Sequence, residues 1–123
     1  MRISVIIPHL NQPDMLARCL SSVLSGSLQP HEIIVIDNGS DILPTAICEA
    51  FSGVRLLAEP RPGPGPARNA GVAASHGEVL AFIDADCIAD RDWLAAAQAE
   101  MADPAAAILG GDVRIDIANP RRL

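Results

Sequence analysis

The chain has 123 residues, half of them hydrophobic and a fifth charged, with a formal net charge of -6. That is one domain's worth of sequence (1–123), able to bury a core and too apolar to stay disordered. The acidic balance excludes a nucleic-acid partner, because phosphate binding needs clustered cations. Ile3 to Ile7 is a β-branched run closed by Pro8, which predicts a strand buried on both faces. Asn11 then reads as a helix N-cap, with Pro13 and Asp14 in the first turn. Leu16, Cys19, Leu20, Val23 and Leu24 form a single apolar helical stripe that Gly26 ends.

EIIVID at 32–37 is a second buried strand, running into Asn38, Gly39 and Ser40. A helix over 43–52 is expected with Ala46, Ile47, Ala50 and Phe51 inward, followed by a third strand, Val54 to Ala58. The alternating Pro and Gly of EPRPGPGP at 59–66 predict a stiff loop rather than helix, with Pro66 opening the helix ARNAGVAAS. EVLAFI at 78–83 is the fourth strand, and Asp90 or Asp92 can cap a helix carrying Trp93, Leu94, Ala97 and Met101 as far as Pro104. Two short strands, Ala107 to Leu109 and Val113 to Ile117, complete a βαβαβαβαβ pattern. The fold class is therefore α/β, a mostly parallel sheet with helices on both faces. Ligands of such sheets sit beyond the carboxyl ends of the strands, where Pro8–Asn11, Asp37–Ser40 and Asp84–Asp86 all fall.

Cys19, Cys48 and Cys87 are scattered and form no CxxC pair, which argues against a disulfide framework or a zinc site and for a reducing compartment. The first apolar run is too short for a secretory segment or a membrane span. The expected location is the cytoplasm, with docking to the cytoplasmic face of a membrane as a variant.

Three loops carry the chemistry. Asp37 in VIDNGS is either a turn carboxylate bonding amides two residues on or a ligand-binding acid. Asp84 and Asp86 in FIDADC either cap a turn or hold a hard divalent cation, which takes one or two carboxylates plus phosphate oxygens. Cys87 reads as a small residue packed behind that loop. Arg68, delivered on a helix start by GPGPARNAG, is either an ion-paired surface residue or a fork of donors for an anionic or nucleobase ligand. The glycines beside it are not a dinucleotide fingerprint, which would follow the first strand and lack proline.

SVIIPHLNQPDMLARCLSSVL, EIIVIDNGS, GPARNAG and GEVLAFIDADC resemble, in order and spacing, the family-2 glycosyltransferases, whose nucleotide-binding part has the Rossmann-like GT-A fold. The resemblance covers roughly residues 3–112. It implies that Pro8, His9 and Asn11 line a pocket for base and ribose, that Asp37 hydrogen-bonds the base, commonly uracil, and that Arg68 also reaches the nucleotide. It further implies that Asp84 faces the ribose and that Asp86 binds Mg²⁺ or Mn²⁺. The implied activity is inverting transfer of a sugar from a nucleotide-diphosphate donor, UDP-linked, to a glycan, lipid or protein acceptor in polysaccharide or cell-envelope synthesis. His9 and Leu10 stand where the family usually has Thr–Tyr before the Asn. The acceptor-binding half, with the general base, is expected beyond Leu123, so the chain reads as a truncated donor-binding half; neither Asp112 nor Asp116 takes the role of base.

Two rivals fall on composition. A phosphate-receiving signalling domain needs a Lys, and every basic residue here is Arg. A sugar-nucleotide pyrophosphorylase needs a Gly- and Arg-rich loop where PHLNQPD stands. The alternative that survives is a nucleotide-sugar-binding module without turnover, whose open apolar surface pairs it as a homodimer.

Overall fold

In the computed structural model, which describes residues 2–102, eight elements follow in chain order. They are β1 (Ile3–His9), α1 (Pro13–Leu24), β2 (Glu32–Asp37), α2 (Thr45–Glu49), β3 (Val54–Ala58), α3 (Pro64–Ala74), β4 (Val79–Phe82) and α4 (Trp93–Met101). The strands form one parallel sheet in the order β3-β2-β1-β4. The chain steps outward from β1 to β3, then jumps back over two strands to β4. Right-handed crossovers running in opposite directions across a sheet place their helices on opposite faces, so α3, which makes the jump from β3 to β4, lies opposite α1 and α2. Accordingly Ile3, Val5, Ile7, Ile33 and Val35 pack with Leu16, Cys19, Leu20, Val23 and Trp93 on one face. On the other face Ile6, Ile34, Ile36 and Phe82 meet Ala67 of α3. Both faces being covered is why β1 and β2 are nearly continuous apolar runs.

Several boundaries differ from those expected. β1 runs through Pro8 to His9 instead of stopping before the proline. Pro8 points its missing donor toward β4, whose pairing with β1 already ends at Ile6↔Phe82, so no ladder bond is lost. Asn11 is not the N-cap: Gln12 holds that place, and Asn11 turns the chain with a left-handed φ of 51°. α2 is confined to Thr45–Glu49, with Ala46 and Ala50 exposed and Cys48 buried, so Pro44 and Cys48, backed by Ile47 and Phe51, carry its packing. The proline-rich loop is partly helical, since α3 begins at Pro64. Pro64 and Pro66 both occupy the first turn, where amide donors have no intrahelical partner. Consequently Arg68 lies in the second turn of α3, not the first. The two strands expected over 107–109 and 113–117, Pro104 as a helix stop, and Asp112 and Asp116 lie outside the described residues.

One buried polar pair closes each end of the β1–β2 ladder. At the amino end Ser4 is in register with Glu32. Glu32 accepts hydrogen bonds from Ser4 Oγ at 2.7 Å, from Arg55 Nη1 at 3.1 Å and from the His76 amide. Burial pushes the Glu32 carboxyl up, but these donors together outweigh it and bring it from an ordinary 4.5 down to about 2. Its stabilising contribution is therefore complete above about pH 4.5 and disappears as the pH falls toward 2. The expected result is a fall in the urea midpoint between pH 5 and pH 3, worth on the order of 3 kcal/mol in all. Glu32→Gln flattens that slope while lowering the midpoint at neutral pH; an unchanged slope would assign the acid lability elsewhere.

Candidate functional site

The carboxyl ends of β1, β2 and β4 open onto a cavity of about 330 Å³ lined by Pro8, His9, Leu10, Gln12, Asn38, Gly63, Pro64 and Asp84 to Asp86. Its position follows from topology. β1 feeds α1 on one side of the sheet, β4 lies on the other side of β1, and the crevice between their exits is the switch point where ligands of open α/β sheets bind.

One wall is a latch at the carboxyl end of the β1–β2 ladder, where His9 and Asp37 are register partners. The Gln12 amide donates to His9 Nε2 at 3.1 Å, so the ring proton sits on Nδ1, which donates to Asp37 Oδ1 at 2.9 Å. Ser40 Oγ donates to the same oxygen at 2.7 Å, while the amides of Gly39 and Ser40 donate to Oδ2 at 3.2 and 2.9 Å. Burial raises the Asp37 carboxyl, yet the Ser40 hydroxyl, His9 and the two amides hold it below the usual carboxylate range. Asn11 extends the latch: its amide donates to Ser40 Oγ at 2.8 Å, and its Oδ1 accepts from the Asp41 amide at 2.9 Å. The two strand-end loops are thus tied together behind the cavity.

Asn38 joins a third loop to the wall. Its Nδ2 donates to the carbonyls of Glu59 and Arg61 at 2.9 and 2.7 Å, and its Oδ1 accepts from the Gly63 amide at 2.9 Å. Gly63, with a φ of 110°, turns the chain directly into α3.

The opposite wall is the Asp84–Asp86 turn. β4 ends at Phe82, so both acids stand on irregular backbone rather than on the strand. Arg68 Nη2 approaches Asp84 Oδ1 at 3.5 Å, each side chain about a third exposed. Asp84, Asp86 and Cys87 each offer a ligand atom within 4.8 Å of the others, and Cys87 Sγ lies 3.5 Å from Asp86 Oδ1. Two carboxylates on one turn suit a hard divalent cation, so the residues present fit one. Cys19, below the turn, donates its thiol to the Asp84 carbonyl at 3.7 Å. Burial, then the neighbouring Cys87, Asp84 and Asp86, push the Cys19 thiol up to about 12, which leaves it an inert packing group.

The sequence reading therefore meets the structure unevenly. Pro8, His9, Asp84 and Asp86 line one cavity, and Arg68 joins them through Asp84. Asn11 and Asp37 do not line it; Asp37 is 1 % exposed and fulfils the turn role that VIDNGS also allowed. Gln12, Asn38, Gly63 and Pro64 were missed, although the Asn–Gly step and the proline-rich loop mark them as strand-end turn residues. Cys87 does pack in the core, and its thiol also reaches the acid pair.

The model of glycosyl transferase family 2 matches residues 4–122. The chain belongs to glycosyl transferase family 2. A relative, glycosyltransferase AglE of Haloferax volcanii, is 32% identical over 124 residues, covering 95% of this chain and 41% of AglE. The glycosyltransferase GlyG of Streptococcus pneumoniae is 33% identical over 75% of this chain and 32% of its own. Among solved structures, S. aureus TarS 1-349 in complex with UDP superposes over 83% of this chain with a TM-score of 0.74 at 25% identity, covering 32% of TarS 1-349. Glucosyl-3-phosphoglycerate synthase from Mycobacterium tuberculosis, in complex with Mn²⁺, UDP and glucosyl-3-phosphoglycerate, does so over 71% with a TM-score of 0.60 at 31% identity, covering 34% of the synthase. The sheet and its flanking helices are thus those of the GT-A nucleotide-sugar transferases. The chain spans about two fifths of AglE and about a third of these solved proteins.

Proposed function

We propose that this chain is the donor-binding half of a glycosyltransferase that moves a sugar from a UDP-linked donor to an acceptor, with inversion. The observation that carries the reading is the Asp84–Asp86 turn, with Arg68 against it, facing a cavity at the β1/β4 switch point of a family-2 chain. The UDP held by TarS and the UDP and Mn²⁺ held by the mycobacterial synthase support the choice of ligand.

In this reading Pro8, Leu10, Gln12 and Gly63 form the slot for base and ribose. The latch of His9, Asp37, Ser40 and Asn11 holds that slot open, and of these four His9 also lines it. Asp84 receives the ribose hydroxyls, and Asp86 carries the larger part of the cation site. The chemistry that a divalent cation supplies there is charge neutralisation on the departing diphosphate. Arg68 adds a fixed positive charge beside it, which grows in value as the sugar–phosphate bond breaks and charge accumulates on the leaving oxygen. The acceptor hydroxyl attacks from the opposite side of the sugar, its proton taken by a base in the acceptor-binding half.

UDP with Mn²⁺ is expected to raise the melting temperature of the chain. At a hundredfold excess over Kd the gain is about 2.7 kcal/mol, or roughly 10 °C for a domain of this size. Asp86→Ala is expected to remove the metal-dependent part of the shift. Equal stabilisation by UDP with and without Mn²⁺ in the unmodified chain would overturn the cation site.

A further inference from the structure

We propose that the carboxamide of Gln12, and not the carboxylate of Asp37, reads the edge of the nucleobase, so that the site accepts uracil and cytosine alike. The inference rests on the nucleotide reading above and deepens it by naming the group that reads the base and how sharply it does so. Asp37 is the acid expected to bond the base, yet its acceptor capacity is already filled. An ionised carboxylate accepts about four hydrogen bonds on its two oxygens. Oδ1 receives the His9 ring and the Ser40 hydroxyl, and Oδ2 receives the amides of Gly39 and Ser40. The residue is 1 % exposed and does not line the cavity.

Among the described residues the polar side chains that line the cavity are His9, Gln12, Asn38, Asp84 and Asp86. Both ring nitrogens of His9 are engaged, one by Asp37 and one by the Gln12 amide. Asn38 uses both donor hydrogens on the carbonyls of Glu59 and Arg61, and its oxygen holds the Gly63 amide. Asp84 and Asp86 form the opposite wall beside Arg68. That leaves Gln12. It stands at the N-cap of α1, where Asn, Asp and Ser are favoured because their short side chains bond the first free amides; the Gln12 side chain makes no such bond. Its backbone is nonetheless anchored, the amide donating to His9 Nε2 at 3.1 Å and the carbonyl accepting from the Leu16 amide at 2.9 Å. A fixed backbone carrying an uncommitted carboxamide is a reader in place before the ligand arrives.

A carboxamide sets one acceptor beside one donor. Facing uracil, its oxygen accepts from the ring N3–H while its nitrogen donates to O4. Turned over about its last torsion, it donates to the bare N3 of cytosine and accepts from the exocyclic amino group. A carboxylate only accepts, so it would favour the N3–H of uracil and repel the bare N3 of cytosine. An amide in place of an acid therefore relaxes the choice between the two pyrimidines.

The test is calorimetric titration of the 123-residue chain with UDP, CDP and pyrophosphate, each with Mn²⁺. UDP and CDP are expected to bind within about tenfold of one another. Gln12→Met keeps the length of the side chain and loses both polar atoms. It is expected to weaken both nucleotides by about tenfold, the loss of roughly two neutral hydrogen bonds, and to leave pyrophosphate binding unchanged. Asp37→Asn loosens the latch, and is expected to weaken UDP and CDP together and so preserve their ratio. An unchanged UDP affinity in Gln12→Met, or a UDP-to-CDP ratio that moves by more than about tenfold in Asp37→Asn, would return the base to Asp37 and leave the nucleotide site standing. A preference for UDP above about tenfold in the unmodified chain would overturn the shared recognition of the two bases. Absence of binding by either nucleotide would overturn the nucleotide reading itself.

Discussion

Asp37→Ala is expected to lower stability by on the order of 2–4 kcal/mol, because it removes a buried carboxylate that accepts four hydrogen bonds. The substitution leaves the His9 ring proton, the Ser40 hydroxyl and the amides of Gly39 and Ser40 without their acceptor. The buried His9 donor costs about 1–3 kcal/mol when it stays unmet, whereas Gly39 is exposed and Ser40 half-buried, so water recovers part of the loss there. For a domain of this size the loss corresponds to a melting temperature lower by roughly 8–16 °C. Asp37→Asn does not restore the site. Its amide nitrogen would face a donor, and His9 cannot yield by moving its proton to Nε2, because that atom already accepts from Gln12. Asn is thus expected to fall between Asp and Ala, and both variants to weaken UDP binding although neither removes a group that lines the cavity. Urea unfolding of the three chains decides the matter. A cost below about 1 kcal/mol for Asp37→Ala would mean that the latch contributes little.

Gly71→Ala is the second large effect, and its sign runs against helix propensity. In an exposed helix the change would stabilise by about 1 kcal/mol. Here a Cβ at residue 71 would stand 2.5 Å from Ile6 Cγ2 and 2.8 Å from Ile36 Cδ1, two fully buried strand side chains. The Ile6 methyl is on a β-branched carbon with little rotamer freedom, so α3 must lift from the sheet. Overpacking of this kind costs about 1–3 kcal/mol, which exceeds the propensity gain. Lifting α3 also carries Arg68 away from Asp84, so UDP affinity should fall together with stability. A double-mutant cycle with Ile6→Ala checks the cause. If the clash is responsible, the pair is less destabilised than the sum of the single changes by more than about 0.5 kcal/mol. Additivity would move the explanation away from the helix–sheet contact.

Much of the architecture was legible before any coordinates. EIIVID and VRLLA are strands with the boundaries that their apolar runs suggest, and the α1 stripe buries Leu16, Cys19, Leu20 and Val23. Trp93, Leu94, Ala97 and Met101 are the buried side of α4. Errors clustered where a local rule met a neighbour. Proline was read as a stop at residue 8 and as a loop at 64–66, but in one place the donor was not needed by any strand and in the other by any helical turn. Ala46 and Ala50 were read as inward because they are apolar, yet the short α2 turns Cys48 to the core instead.

Residue types and spacing alone determined that acids end the strands, that an arginine follows the proline-rich loop and that no lysine competes for either. Periodicity in one dimension is enough for that, since it sets which residues share a face. Only the tertiary structure decided which of those acids meets the cavity. The parallel register sets His9 beside Asp37 and buries both, while the jump from β3 to β4 brings Asp84 and Asp86 across the sheet to Pro8. The same jump sets Cys87 under its acids, because the turn that ends β4 folds the chain back on itself. Contacts between residues 28 or 76 positions apart are products of strand order and register, and no local pattern encodes them.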